Sequence, residues 1–160
     1  MEITVERLNN EVLFSIENAH KALALVDGAE QIGGLNKGLR PMEMLLGSLA
    51  SCSAFDLVLI LKKQRQEITA LTIEVKGERV KNDYNKPFSS IHIDFRLSGT
   101  IDFKKAERAA SLALEKYCSV KASLHPDISI SHQVTLSRVL TIDTFYTNGT
   151  AIHRSASRWI

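Results

Sequence analysis

Three features of the 160-residue sequence predict an α+β fold: period-two apolar runs in the first 27 residues, one long helical segment after Pro41, and further alternating segments grouped after that helix. Strands gathered in blocks around two helices give segregated layers, whereas a doubly wound sheet needs strand and helix to alternate throughout. The order is three strands, helix, two strands, helix, strand. At this length a chain buries roughly 68 to 70% of the surface its unfolded form exposes, enough for one core without metal or disulfide staples.

The N-terminal runs are Ile3, Val5 and Leu8, then Val12, Phe14 and Ile16, then Ala22 to Val26, separated by Asn9-Asn10 and by Glu17 to His20. Asn tolerates positive φ, which predicts hairpin turns in a three-stranded antiparallel sheet. Residues 27–40 carry Asp27-Gly28, Gly33-Gly34, Asn36 and Gly38 with no apolar period, and read as a surface connection. Pro41 suits a first helical position. Apolar or small residues at 42, 45, 46, 49, 52, 53 and 60, with Lys62 and Lys63 near the end, predict a long central helix of about 25 residues.

Period two resumes at Leu71, Ile73 and Val75, breaks at the turn 82–87, and returns at Ile91, Ile93, Phe95 and Leu97 before Gly99, which predicts a second hairpin. Asp102 suits the N-cap of a second helix reaching about Tyr117, with Ala106, Ala109, Ala110, Ala113 and Leu114 along one side. Cys118 stands where that helix ends. Residues 119–125 suit one or two more helical turns stopped by His125-Pro126, and Ile128 to Leu136 alternates as a closing strand. Residues 1–136 thus make one domain. Residues 137–160, with the single Trp, Asn148-Gly149 and a basic Ser-rich end, suit an extra hairpin, a disordered tail or a cloning scar.

The 20 Lys+Arg and 18 Asp+Glu leave a net charge of +2. They interleave along the chain, which argues against a nucleic-acid surface, because phosphate recognition concentrates cations on one face. No unbroken apolar run exceeds that of Leu57 to Leu61, which falls short of the about 20 residues of a membrane span. The N-terminus lacks the basic-then-apolar plan of a secretory signal. No membrane partner and a cytoplasmic location are expected. Two cysteines are too few for a secreted disulfide scaffold, so a bond between them fits transient chemistry better than a staple. The five histidines are scattered and the Cys118 to His125 spacing lacks a second pair, so no metal is expected. Phosphate-loop, dinucleotide and Gly-x-Ser-x-Gly patterns are missing, which leaves no cofactor signature.

Cys52 lies mid-helix among Gly47, Ser48, Ala50, Ser51, Ser53 and Ala54, whose small side chains admit another backbone. A cysteine packed as a small hydrophobe would look the same. Cys118 lies at a helix junction, where the unpaired N–H groups of a following turn can stabilise a thiolate. Met44, Leu45 and Phe55 suit an apolar pocket beside Cys52 or ordinary core positions.

The loop Gly33-Gly34-Leu-Asn-Lys-Gly-Leu-Arg-Pro41, the continuation Met-Glu-Met-Leu-Leu-Gly-Ser-Leu-Ala-Ser-Cys52 and the later Glu115-Lys-Tyr-Cys118-Ser-Val resemble the OsmC/Ohr family of organic hydroperoxide reductases over about residues 1–136. The resemblance implies an intertwined homodimer, with two long helices at its centre and a thiol site at each subunit interface. It also implies the chemistry. Cys52 attacks an organic hydroperoxide, or hydrogen peroxide, and becomes a sulfenic acid; Cys118 resolves it as a disulfide; a dithiol donor such as a lipoylated protein reduces that disulfide, with no cofactor.

The sequence departs from this family at four places. Relatives carry Glu directly after the Pro, where Met42 stands here, and Glu43 comes next. Nine helical residues from Glu43 to Cys52 give about 900° of rotation and ~13.5 Å of rise. Glu43 therefore reaches the thiol only through a kink, a partner subunit or an indirect contact, and otherwise suits the helix macrodipole. Relatives hold the thiolate and peroxide with an Arg from the N-terminal region; Arg40 and Arg7 are the candidates. Asp56, four residues after Cys52, disfavours a thiolate unless it is paired. Ser119 stands where many relatives have Pro, which leaves the backbone less fixed. The alternative function is a protein that keeps this fold and pocket but binds a small ligand or senses redox state without turnover.

Overall fold

A computed structural model describes residues 1–81 and 84–137; beyond Ser137, the expected C-terminal extension lies outside the described residues. Strands β1 (Ile3–Arg7), β2 (Phe14–Asn18) and β3 (Leu23–Val26) form an antiparallel sheet in that order, with Val5 opposite Ile16 and Phe14 opposite Val26. The asparagines close its hairpins by a different route from the one expected. Asn9 Oδ1 accepts the N–H groups of Glu11 (3.0 Å) and Leu13 (3.2 Å). Asn18 Oδ1 accepts those of His20 (2.9 Å) and Ala22 (3.1 Å). These are side-chain turns, and the positive φ falls on Lys21 instead. Ile3, Val5, Leu8 and Leu23 stay exposed on this sheet, so much of its apolar surface finds no core within its own chain.

The 27–40 connection is organised by one carboxylate. Asp27 is buried and accepts N–H groups from Gly28 (2.8 Å), Leu35 (2.9 Å) and Lys37 (3.0 Å). The loop crosses itself so tightly that a Cβ on Gly34 would lie 2.0 Å from the Gly28 carbonyl oxygen. Backbone bonds between Asp27, Leu39 and Leu25 (3.1 Å each) then tie the loop's end back to β3.

Helix α1 (Pro41–Lys63) begins on Pro as predicted, ends on Lys62 and Lys63, and is 23 residues long. Leu49, Ser53, Leu57 and Leu61, spaced by four, are its buried stripe. That stripe packs on a second sheet of β4 (Glu67–Arg79), β5 (Phe88–Thr100) and β6 (Ser129–Ser137). From β5, Ile91, Ile93, Phe95 and Leu97 alternate into the core, where Ala106, Ala109 and Ala110 of α2 (Phe103–Leu112) meet them. The alanines let α2 lie close. β4 and β5 are the predicted antiparallel hairpin, while β6 runs parallel to β5, because α2 carries the chain back across the sheet before the last strand begins.

By length and composition α1 is apolar enough to cross a membrane, although little of it is buried in the chain. Its apolar runs are short because Glu43, Gly47, Ser48, Ser51, Ser53 and Asp56 interrupt them, while the helix stays apolar overall. The exposed surface includes Phe55, Val58 and Leu59.

Candidate active site

Two helix irregularities bring the cysteines together. Asp102 caps α2 as expected, its Oδ1 accepting the Lys105 N–H at 2.9 Å. The helix does not continue regularly to Tyr117: it widens into a π turn over Ala113–Tyr117, and the chain leaves helical geometry at Cys118 before α3 (Ser119–Ala122) starts. π turns cluster at functional sites because the extra residue re-aims the side chains that follow. Here they aim Cys118 at the middle of α1. Its sulfur accepts the Lys121 N–H at 3.4 Å and faces the Leu49 carbonyl at 4.0 Å.

On the α1 side, Ser48 and Ser53 turn their hydroxyls back onto the carbonyls of Met44 (2.8 Å) and Leu49 (3.0 Å). With their polar atoms satisfied, these serines pack as small residues. Cys52 is half-buried and Cys118 is buried; both thiols are free and within hydrogen-bonding reach of each other. The Ser119 hydroxyl lies 3.8 Å from the Cys52 sulfur.

The surroundings drive the two thiols in opposite directions. Burial pushes Cys52 up, but the Val120 N–H, the Cys118 S–H, and the hydroxyl and N–H of Ser119 outweigh it, so its net pKa is lowered. For Cys118 burial dominates; the Lys121 N–H opposes it, but the hydrogen bond and charge of Cys52 add to it, and the pKa is raised. A thiolate is the nucleophilic form, and these surroundings favour ionisation at Cys52 over Cys118. The sequence places the N–H groups after Cys118 in the service of Cys118 itself; the structure lends those of Ser119 and Val120 to Cys52. Asp56, one turn after Cys52, is not among these leading influences.

The other candidates lie elsewhere. Glu43 Oε2 accepts the Arg40 N–H at 2.9 Å and closes the start of α1, with ~13.5 Å of helix between it and Cys52. Arg40 precedes the first turn, ~18 Å of rise below the thiol, and lines a cavity of about 530 Å³ with Glu43, Arg79 and Phe88. Arg7 is committed to its own hairpin, donating to the Asn10 carbonyl and, at 2.8 Å, to the Glu11 carbonyl. Within one chain Arg40 and Glu43 stand at the far end of α1 from Cys52, and Arg7 bonds within its own hairpin. Ser119 went unrecognised as a donor. The available signal is a hydroxyl directly after the helix junction at Cys118.

A second cavity of about 500 Å³ opens between the first sheet and α1, lined by Val5, Phe14, Ile16, Val26, Leu45 and Ser48 among others. Leu45, Ser48 and Cys52 are spaced i, i+3, i+7 and so share one helix stripe. Of the aromatic and aliphatic residues expected near the thiol, Met44 and Leu45 line this cavity, whereas Phe55 is 70% exposed.

The family model of OsmC-like proteins matches residues 34–133. Protein YhfA of Escherichia coli (strain K12) is 37% identical over 99 residues, which are 61% of this chain and 72% of that protein. A hypothetical protein from Aquifex aeolicus VF5, of solved structure, is 36% identical with a TM-score of 0.69 over 85% of this chain and 96% of its own. The organic hydroperoxide resistance protein OhrB of Bacillus subtilis shares the fold at 17% identity, with a TM-score of 0.57 over 84% of this chain and 98% of its own. The matched segment holds α1, both cysteines and most of the second sheet, more than half of the sequence, and the chain belongs to the OsmC-like protein family.

Proposed function

We propose that this chain is a two-cysteine thiol peroxidase for organic hydroperoxides. The observation that carries the reading is the packing of the Cys118 turn against α1, with the Ser119 hydroxyl 3.8 Å from the Cys52 sulfur and the Cys118 sulfur facing the Leu49 carbonyl, combined with the opposite pKa directions of the two thiols. The Cys52 thiolate attacks the outer peroxide oxygen, the O–O bond breaks, and the departing alkoxide takes a proton from solvent to leave as an alcohol. Cys52 is then a sulfenic acid. The Cys118 thiol attacks it, an S–S bond forms and water leaves. A two-electron dithiol donor, such as a lipoylated protein, returns both thiols. The apolar cavity between the first sheet and α1, whose lining residues Leu45 and Ser48 share a helix stripe with Cys52, favours an organic hydroperoxide over hydrogen peroxide, and a reducing cytoplasm suits the cycle.

The working unit is a homodimer in this reading. The exposed side of α1 carries small residues at one end (Gly47, Ser48, Ser51) and large ones at the other (Phe55, Leu59). Two such helices related by a two-fold axis set large against small.

The test is one equivalent of cumene hydroperoxide added to reduced protein, with free thiols titrated over time. Wild type loses two thiols per chain within seconds and Cys52→Ser stays inert. Equal, slow loss in wild type and both single-cysteine variants refutes the enzyme. It favours instead a redox-sensing or ligand-binding protein, a reading supported by the uncharged character of the leading donors around Cys52.

A further inference from the structure

Ser119 is the first residue of α3, and its hydroxyl has the Cys52 sulfur as its partner at 3.8 Å. The opening N–H groups of a helix have no intrahelical acceptor, and this turn divides them between two sulfurs. The Lys121 N–H goes to Cys118; those of Ser119 and Val120 act on Cys52. Proline at position 119 would delete the hydroxyl and one of these N–H groups together. Arg7, Arg40 and Glu43 are meanwhile engaged or positioned away from the thiol.

We propose that Ser119 is a catalytic residue of this chain, whose hydroxyl, 3.8 Å from the Cys52 sulfur, joins the backbone N–H groups of its turn in holding that sulfur as a thiolate, a task a charged side chain could otherwise perform. The catalytic part of this assignment rests on the peroxidase reading above.

A neutral donor has a consequence that differs from mere scaffolding. Withdrawing a hydrogen bond from a thiolate reduces the fraction ionised, yet makes each remaining thiolate more nucleophilic, with a Brønsted slope of about 0.4–0.5. For a donor whose loss costs about tenfold in thiolate at neutral pH, the variant is about threefold slower there. Above the pH at which both forms are fully ionised it is about threefold faster. The two pH–rate profiles cross. A substitution that only loosened the site would slow the reaction at every pH.

The experiment measures Cys52 alkylation by iodoacetamide from pH 5 to 10 in the reduced full chain, read from the mass of the Cys52 peptide, for wild type, Ser119→Ala and Ser119→Thr. Cumene hydroperoxide consumption is followed in parallel. Ser119→Ala should cross the wild-type profile as described in both reactions, and Ser119→Thr, which keeps the hydroxyl, should follow wild type. An alanine profile superposable on wild type, or slower by one factor throughout, overturns the proposal. Because alkylation needs no peroxide, the two readings fail separately. Crossing in alkylation by a wild type that ignores hydroperoxide upholds the thiolate donor and refutes the peroxidase, and with it the catalytic assignment.

Discussion

Replacing Phe55 by Lys asks what covers α1. Phe55 is 70% exposed and Leu59 53% exposed, on a helix apolar enough to span a membrane. Fully burying a Phe side chain is worth about 1.5–3 kcal/mol, so covering the exposed share of Phe55 contributes roughly 1–2 kcal/mol per protomer, and two-fold symmetry doubles it. Lysine forfeits that term and adds a cation that must be desolvated, for a total of roughly 4 kcal/mol or more, which weakens a dimer by about a thousandfold in Kd. Sedimentation velocity at micromolar concentration should show a wild-type dimer and a Phe55→Lys monomer. Gly47 supplies an independent sign test. A Cβ there meets nothing within 4 Å in its own chain, so in an isolated helix Gly47→Ala stabilises by up to about 1 kcal/mol. Against a partner helix it obstructs close approach and weakens the dimer. A monomeric wild type, or a Phe55→Lys protein that still dimerises with unchanged affinity, refutes this account of α1.

Other consequences are equally open to measurement. Cys118→Ser, lacking the resolving thiol, should accumulate two or three oxygens on Cys52 under excess hydroperoxide, and an intact mass without them counts against the assigned roles. Leu49→Ala, in a fully buried position against the Cys118 turn, should cost about 2–5 kcal/mol in urea unfolding; a loss under about 1 kcal/mol contradicts the packing described. The Lys37 N–H, followed by those of Leu35 and Gly28, outweighs burial and holds the Asp27 carboxyl below the usual range. A depressed carboxyl stabilises the fold above its ordinary pKa of about 3.9 and loses that contribution as pH falls through its folded value. Hydrogen-exchange protection of the Leu35 and Lys37 amides should therefore hold from pH 7 to about pH 4 and fall below it. Protection unchanged down to pH 2 contradicts the role of Asp27.

Much of the fold was legible because it is local. Alternation at Ile91, Ile93, Phe95 and Leu97 marks a strand with one buried face. Pro41 and Lys62-Lys63 mark the ends of α1, and Asp102 marks a cap, since each of these signals acts within a few residues of itself. The two cysteines brought together by the fold were also legible, through the small residues around Cys52, the helix junction at Cys118 and the resemblance that joins them. What escaped depends on placement across the chain. Arg7 looks free in the sequence and is spent on carbonyls of its own hairpin. Glu43 looks like the family's Glu displaced by one residue and closes the start of α1. The π turn at Ala113–Tyr117 leaves no periodic signature, yet it aims Cys118.

The sequence by itself determined which segments are helix and strand and where α1 begins and ends, and it placed two thiols at a mid-helix small-residue stretch and at a helix junction, because propensity, capping and alternation are properties of neighbours along the chain. Only the tertiary structure supplies the surroundings that lower one thiol's pKa and raise the other's. Burial of one sulfur, and the lending of N–H groups from the turn after it to the other, exist only once α1 and the Cys118 turn are packed together.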